Sequence, residues 1–168
     1  MDLNVNGLRV SIAEAEIAAL VRQRLLNRET ARLGTSSRLL DMPALGAVWH
    51  GEGGLFTGLI RGRDGARDRV LITGPRFDDA DRDWETVKEL VDAVEVDGHH
   101  DFRLPFRKEQ ALQFANVPEL FKEAYYWSCE PCAPGSDYAW SQSFVSGNQS
   151  FCRQSSKLYG CAVRSFEI

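Results

Sequence analysis

Hydrophobic positions recur at helical spacing near the start of the chain and at strand spacing over much of the remainder. Apolar residues follow the capping-box pattern Ser11-Ile-Ala-Glu14, so the sequence predicts an amphipathic helix over residues 11–27. We expect residues 1–40 to form a helical extension that serves as an arm for homo-oligomer formation.

The next part of the chain changes from helical to strand patterning. Residues 47–50, 55–60 and 69–73 are short runs of β-prone residues. Glycine-rich segments at 51–54 and 63–65 separate them, and the second contains the Asp-Gly pair that tight turns favour. The pattern predicts a small three-stranded antiparallel meander.

The second half of the chain predicts two helices followed by strands. An acidic stretch precedes residues 84–91, and acidic side chains suit the positive end of a helix. Pro105 stands at the start of a second helical stretch at 106–114, where a missing backbone N–H costs nothing. Together with the meander, these elements indicate an α+β fold. Strands are expected near residues 125–129, 138–144, 149–153 and 158–166.

Composition and charge narrow the classes of function. The 168 residues are 43% hydrophobic and 26% charged, which is ordinary for a folded globular protein. The formal net charge is −4, so the chain lacks the net positive charge that is typical of general nucleic-acid-binding proteins. No apolar run reaches the roughly 18 residues that a membrane span needs, and the first residues lack the pattern of a signal peptide. We therefore expect no membrane span and no secretion signal.

Six short segments of the second half occur in an order that resembles a known family. The segments are Asp101-Phe-Arg-Leu-Pro105, Lys108-Glu109, Tyr126-Trp127-Ser128, Tyr138-Ala139-Trp140, Phe144 with Gly147, and Ala162-Val163-Arg164. In this order they are similar to the Lcl C-terminal domain family, domain of unknown function 1566, and the similarity is strongest over residues 97–168. The stretch from Trp49 to Ile72 is also similar to a segment that precedes this domain in phage and prophage proteins.

The resemblance implies that residues 41–168 form a C-type-lectin-like domain, with the N-terminal helix and the meander before its C-terminal unit. It also implies a protein of phage or prophage type. Because the sequence lacks the pattern of a signal peptide, we expect this protein in the cytoplasm of a bacterial host or in the virion. In one position the chain departs from the family, because it has Trp127-Ser128-Cys129 where the family has Trp-Ser-Ser. A fold of this kind implies a surface for binding but does not name the ligand.

Four cysteines are the strongest candidates for metal chemistry. Cys129 and Cys132 have the C-x-x-C spacing of a zinc knuckle, and Cys152 and Cys161 would complete a tetrahedral thiolate site for Zn²⁺. One or two disulfide bonds, or four buried free thiols, are the alternatives.

Residues 134–160 are rich in serine, asparagine, glutamine and tyrosine, types that antibody paratopes use for aromatic contact and adaptable hydrogen bonding. The alternative interpretation is the polar outward face of an ordinary antiparallel sheet. The residues predicted to bind a ligand or partner are Asp137, Tyr138, Ser141, Gln142, Ser143, Asn148, Gln149, Gln154 and Tyr159.

Four other residues of the family pattern are assigned to the interior. The resemblance implies that Trp127 and Trp140 are core residues. We expect Arg103 and Arg164 to be buried against acidic partners rather than to bind a ligand.

These features favour a non-enzymatic protein that recognises a protein or glycan through its C-terminal lectin-like surface. One alternative is a phage accessory protein that inhibits a host defence or nucleic-acid-handling complex by protein–protein binding. The arginine-rich N-terminal helix and the missing secretion signal motivate that alternative. A second alternative is a Cys- and metal-dependent enzyme of the formylglycine-generating fold, but the three histidines lie far from the cysteines in sequence.

Overall fold

A computed structural model of the chain separates it into two compact units, Met1–Asp41 and Met42–Ile168. All structural statements below concern the described residues. These are residues 2–5, 8–11, 19, 21–25, 41–79 and 82–168.

The first unit begins with a β-hairpin that the hydrophobic pattern does not predict. Strand β1 (Asp2–Val5) pairs antiparallel with strand β2 (Leu8–Ser11). Ser11 is the last residue of β2, and residues 12–18, where the helix that it is predicted to cap would begin, lie outside the described residues. Residues 21–25 are helical, as predicted, whereas most of the predicted helix lies outside the described residues.

The second unit starts with the predicted meander, which the structure confirms. Strands β3 (Val48–Trp49), β4 (Gly54–Ile60) and β5 (Arg69–Phe77) pair antiparallel in sequence order. The final strand β9 (Gly160–Glu167) then pairs antiparallel with β5, which makes a four-stranded sheet in the order β3-β4-β5-β9. Because β5 and β9 pair, they bring together the two ends of the intervening chain.

Both helices predicted in the second half are present. Helix α1 (Trp84–Asp92) is capped by Asp83, whose carboxylate accepts a hydrogen bond of 3.0 Å from the Thr86 backbone N–H. Helix α2 (Arg107–Asn116) is followed by a short 3₁₀ turn at Pro118–Leu120. None of the described helices has the length and apolar character needed to cross a bilayer.

A second sheet stands between the helices and the last strand in the sequence. Strands β6 (Tyr125–Pro131), β7 (Tyr138–Ser143) and β8 (Gln149–Arg153) form an antiparallel sheet in that order. All of these strands lie close to their predicted positions. The second unit is therefore mixed α+β, with more sheet than helix.

The largest hydrophobic cluster packs α1 against the three-stranded sheet. Its buried residues include Trp84 and Val87 of α1, Leu104, Trp127 of β6 and Ala139 of β7. Trp127 is completely buried, as the family pattern implies. This cluster covers one face of the sheet and leaves part of the opposite face open to solvent.

Candidate functional site on the outer face of the three-stranded sheet

Three aromatic rings and two guanidinium groups form a continuous surface on the second sheet. The ring of Phe151 packs edge-on against Trp140 and Tyr138, with centroid separations of 5.7 and 5.9 Å. Arg107 lies over the Trp140 ring at 3.5 Å, and Arg153 lies over the Tyr138 ring at 5.5 Å. We call these five residues the outer patch.

Strand pairing explains why these side chains meet. Tyr138 and Trp140 are two residues apart on β7, so they point to the same face of the sheet. Their direct partners on β8 are Arg153 and Phe151, and directly opposed side chains on antiparallel strands share a face. Phe151 is 55% exposed, so its ring forms part of the solvent-facing surface of the sheet.

Arg107 is positioned by hydrogen bonds to both outer strands of the three-stranded sheet, β6 and β8. Its backbone N–H donates to the Glu130 carboxylate at 2.9 Å, and its Nε donates to the Gln149 side-chain oxygen at 3.1 Å. The Gln149 amide nitrogen donates in turn to the Arg107 carbonyl at 2.7 Å and to the side-chain oxygen of buried Gln142 at 2.8 Å. The guanidinium is therefore held in place before any ligand arrives, which lowers the entropy cost of binding.

An open depression of about 400 Å³ adjoins Arg107 at the start of α2. It is lined by Phe106, Arg107, Lys108 and Glu130. Phe106 and Lys108 are exposed at the surface. The depression thus offers an aromatic ring, two cations and one carboxylate beside the outer patch.

The other arginines of the family-like segments are fixed inside the fold. Arg103 donates two hydrogen bonds of 2.7 Å to the carboxylate of Glu109, which is 1% exposed. Arg164 donates 2.8 Å hydrogen bonds to buried Glu52 and to Asp101. The expectation that these two arginines are paired with acids is confirmed.

Three residues predicted to bind a ligand are buried, which corrects the prediction. Ser141, Gln142 and Ser143 are each at most 2% exposed. Gln142 lies beneath α2, where its amide nitrogen donates to the Gln110 carbonyl at 2.9 Å. Ser141 and Ser143 alternate with Gln142 along β7, so they point to the opposite face of this central strand, where the Ser141 hydroxyl donates to the Ser150 carbonyl at 3.4 Å. These polar side chains therefore satisfy internal groups and do not face solvent.

The remaining predicted residues divide between the patch and ordinary structure. Tyr138 belongs to the outer patch, and Gln149 supports Arg107. Asp137 and Asn148 are exposed at the two ends of the β7–β8 hairpin. The other two lie apart from the patch in local contacts. Gln154 donates to the Ser136 carbonyl at 2.8 Å, and Tyr159 packs 5.3 Å from the ring of Tyr126.

The four cysteines do not assemble the predicted zinc site. No group of three or more histidine, cysteine, aspartate or glutamate side chains among the described residues is arranged to hold a metal, and all four cysteines lie in this part. Cys129 and Cys152 pack against the cluster around Trp127, whereas Cys161 belongs to a different cluster. All four are free of disulfide bonds.

Burial makes two of these thiols poor nucleophiles. Desolvation raises the pKa of both Cys129 and Cys161 to about 12. A reactive cysteine needs a lowered pKa, because the thiolate is the attacking form. These two cysteines are therefore suited to packing.

Several patch residues are absent from the ligand-binding set predicted from composition. Trp140 is half-buried beneath Arg107, so its assignment to the core is wrong. The composition of residues 134–160 does not single out Phe151 or Arg153, and Arg107 lies outside that stretch. The available signal was the period of two: Tyr138 and Trp140 alternate on β7, as Phe151 and Arg153 do on β8.

No protein-family model matches the chain, and no curated protein is significantly similar to it.

Proposed function

We propose that the chain is a non-enzymatic binding protein of phage or prophage type that recognises a protein ligand through the outer patch. The observation that carries this proposal is the unbroken contact from Arg107 through Trp140, Phe151 and Tyr138 to Arg153. Tryptophan, tyrosine and arginine are the residue types that dominate binding energy at protein interfaces.

The order of elements in the second unit supports a C-type-lectin-like scaffold for this surface. Its third strand, β5, pairs with its last, β9, and two helices and a three-stranded sheet lie between them in the sequence. The three-stranded sheet is thus enclosed in the sequence by two strands that pair with each other, and its outer face is built on regular secondary structure. Rigid elements hold a binding surface more accurately than loops do.

Charge around the patch indicates the chemistry of the ligand. Arg107, Lys108 and Arg153 contribute positive charge, and Glu130 is already engaged by the Arg107 backbone. The chain as a whole carries a formal charge of −4, so the patch is a basic area on an acidic protein. An acidic protein surface with an apolar centre is its best complement.

Affinity capture with matched variants tests this function. Immobilised wild-type protein, Trp140→Ser and Arg107→Ala are exposed to the same bacterial lysate, and captured proteins are quantified by mass spectrometry. The control is Leu59→Ser, which removes an exposed apolar side chain from β4, where Leu59 is 45% exposed.

We expect a specific protein ligand to be retained by Leu59→Ser and reduced about tenfold or more by both patch variants. A ligand captured equally by all four proteins would refute the outer patch as the binding surface. The same proteins are also tested on a glycan array. Glycan binding by the wild type that both patch variants lose would support the outer patch as the binding surface, with a glycan as the ligand in place of a protein. A captured defence or nucleic-acid-handling complex would assign the chain to the inhibitory role.

A further inference from the structure

The two edges of the three-stranded sheet are treated differently. On the β6 side, the Trp127 and Cys129 backbone N–H groups donate to the carbonyls of Tyr159 and Pro105, both at 2.9 Å. These bonds cover that edge. Strand β8 forms the other edge, and no strand among the described residues pairs with its outer side.

The register shows which groups of β8 point outward. The Gln154 N–H donates to the Asp137 carbonyl at 2.8 Å, just beyond the paired residues of the two strands. Hydrogen-bonded and non-hydrogen-bonded pairs alternate along an antiparallel ladder. The pairs that carry ladder hydrogen bonds are therefore Ala139 with Cys152 and Ser141 with Ser150. The intervening residues of β8 aim their backbone groups away from β7. They are Gln149, Phe151 and Arg153.

Most of these outward groups have no partner among the described residues. The Arg153 carbonyl accepts from the Ser156 N–H at 2.8 Å. Both backbone groups of Gln149 and Phe151, and the N–H of Arg153, make no hydrogen bond within the described part of the chain. An edge of this kind is a template for another strand, and β8 has neither a lysine nor a proline to prevent it.

We propose that a second copy of this chain pairs with β8 in an antiparallel arrangement centred on Phe151, which joins two three-stranded sheets into one. In this register Phe151 lies opposite Phe151 of the second copy, and each exchanges both backbone hydrogen bonds with the other. Gln149 lies opposite Arg153 of the second copy, where the Arg153 N–H donates to the Gln149 carbonyl.

Charge and exposure favour a second copy as the occupant. Arg153 is the only charged residue of β8, and in this register it faces neutral Gln149, so no like charges oppose each other. The exposed ring of each Phe151 is covered by its counterpart. A five-residue ladder is smaller than a standard stable interface, so we expect a dimer that dissociates in the micromolar range.

In a two-fold symmetric pair each Phe151 faces its own copy, so substitutions of opposite charge at this position should weaken association separately and restore it when mixed. In Phe151→Lys the two lysines oppose each other, and in Phe151→Asp the two aspartates do. An equimolar mixture places lysine opposite aspartate and restores complementarity. Sedimentation velocity of the full chain measures association, circular dichroism checks that each variant is folded, and Leu59→Lys is the matched control on β4.

We expect wild-type protein and Leu59→Lys to dimerise, and the dissociation constant of each Phe151 variant alone to rise about tenfold. The mixture should recover most of that loss. Wild-type protein that stays monomeric throughout the micromolar range would overturn the proposal. An association that both Phe151 variants keep, or that their mixture fails to restore, would also overturn it, because the contact would then lie elsewhere. This result does not depend on the proposed ligand, since no ligand is present in the experiment.

Discussion

Arg103 and Arg107 are only four residues apart in the sequence, yet they have opposite roles in the structure. Arg103 is bound through two 2.7 Å hydrogen bonds to a buried carboxylate, so its charge is neutralised inside the fold. Arg107 makes one side-chain hydrogen bond to a neutral amide and lies 3.5 Å above an aromatic ring. The partner of an arginine, and not the presence of the residue, therefore decides whether its charge stabilises the fold or is available to a ligand.

The largest effect that separates the two arginines is on stability. Arg103→Ala leaves Glu109 buried without its cation, and we expect a loss of about 3 kcal/mol in the free energy of unfolding. Arg107→Ala should cost less than about 1 kcal/mol, because no buried charge is left behind. Urea denaturation measures both, and equal losses would erase the distinction between the inner and outer positions.

A smaller effect is expected for Arg164, another arginine that pairs with acidic side chains, and it depends on pH. Partial burial opposes ionisation of Asp101, but its hydrogen bond and charge attraction to Arg164 hold the pKa of this carboxyl below its ordinary value. A carboxylate with a lowered folded pKa stabilises the protein above its unfolded pKa of about 3.9 and loses this contribution as the pH falls through the folded pKa. Asp101 is 56% exposed, so the contribution is modest.

The measurement is the urea midpoint of wild-type protein and Asp101→Asn as a function of pH. We expect the wild type to be more stable at neutral pH, and the two midpoints to converge below about pH 3. Glu123→Gln, at an exposed position outside the helices, is the control and should track the wild type. A difference that persists unchanged at low pH would show that the Asp101 charge does not act on Arg164.

The smallest effect is a difference in reactivity without a difference in stability. Alkylation by iodoacetamide at about pH 8 requires the thiolate, and a pKa of about 12 leaves roughly one part in ten thousand of Cys129 and Cys161 in that form. We expect both to be labelled only after denaturation, as judged by mass spectrometry of peptides. Rapid labelling of Cys161 in the native protein would mean that its cluster opens.

Much of the fold follows from local patterns in the sequence. The helix at Trp84–Asp92 and the alternating strands after Tyr125 are predicted because capping residues and periodicity act over a few neighbours. The pairing of β9 with β5 is a long-range contact between segments about ninety residues apart, and periodicity does not carry that information.

The site was harder to predict, for a physical reason. A period of two places Trp140 and Gln142 on the same face of β7, but it does not say which part of that face a helix covers. Helix α2 covers Gln142 and leaves Trp140 accessible beneath Arg107. Polar composition alone therefore points to Gln142, which is buried, and misses Phe151, which is exposed.

Site-specific photo-crosslinking tests the binding role of the outer patch most directly. A photoreactive phenylalanine derivative replaces Tyr138 in one protein and Leu59 in another, and both are irradiated in the same bacterial lysate. We expect a discrete adduct with a protein ligand from position 138 and none from position 59. Adducts from position 59 alone, or identical adducts from both positions, would contradict it.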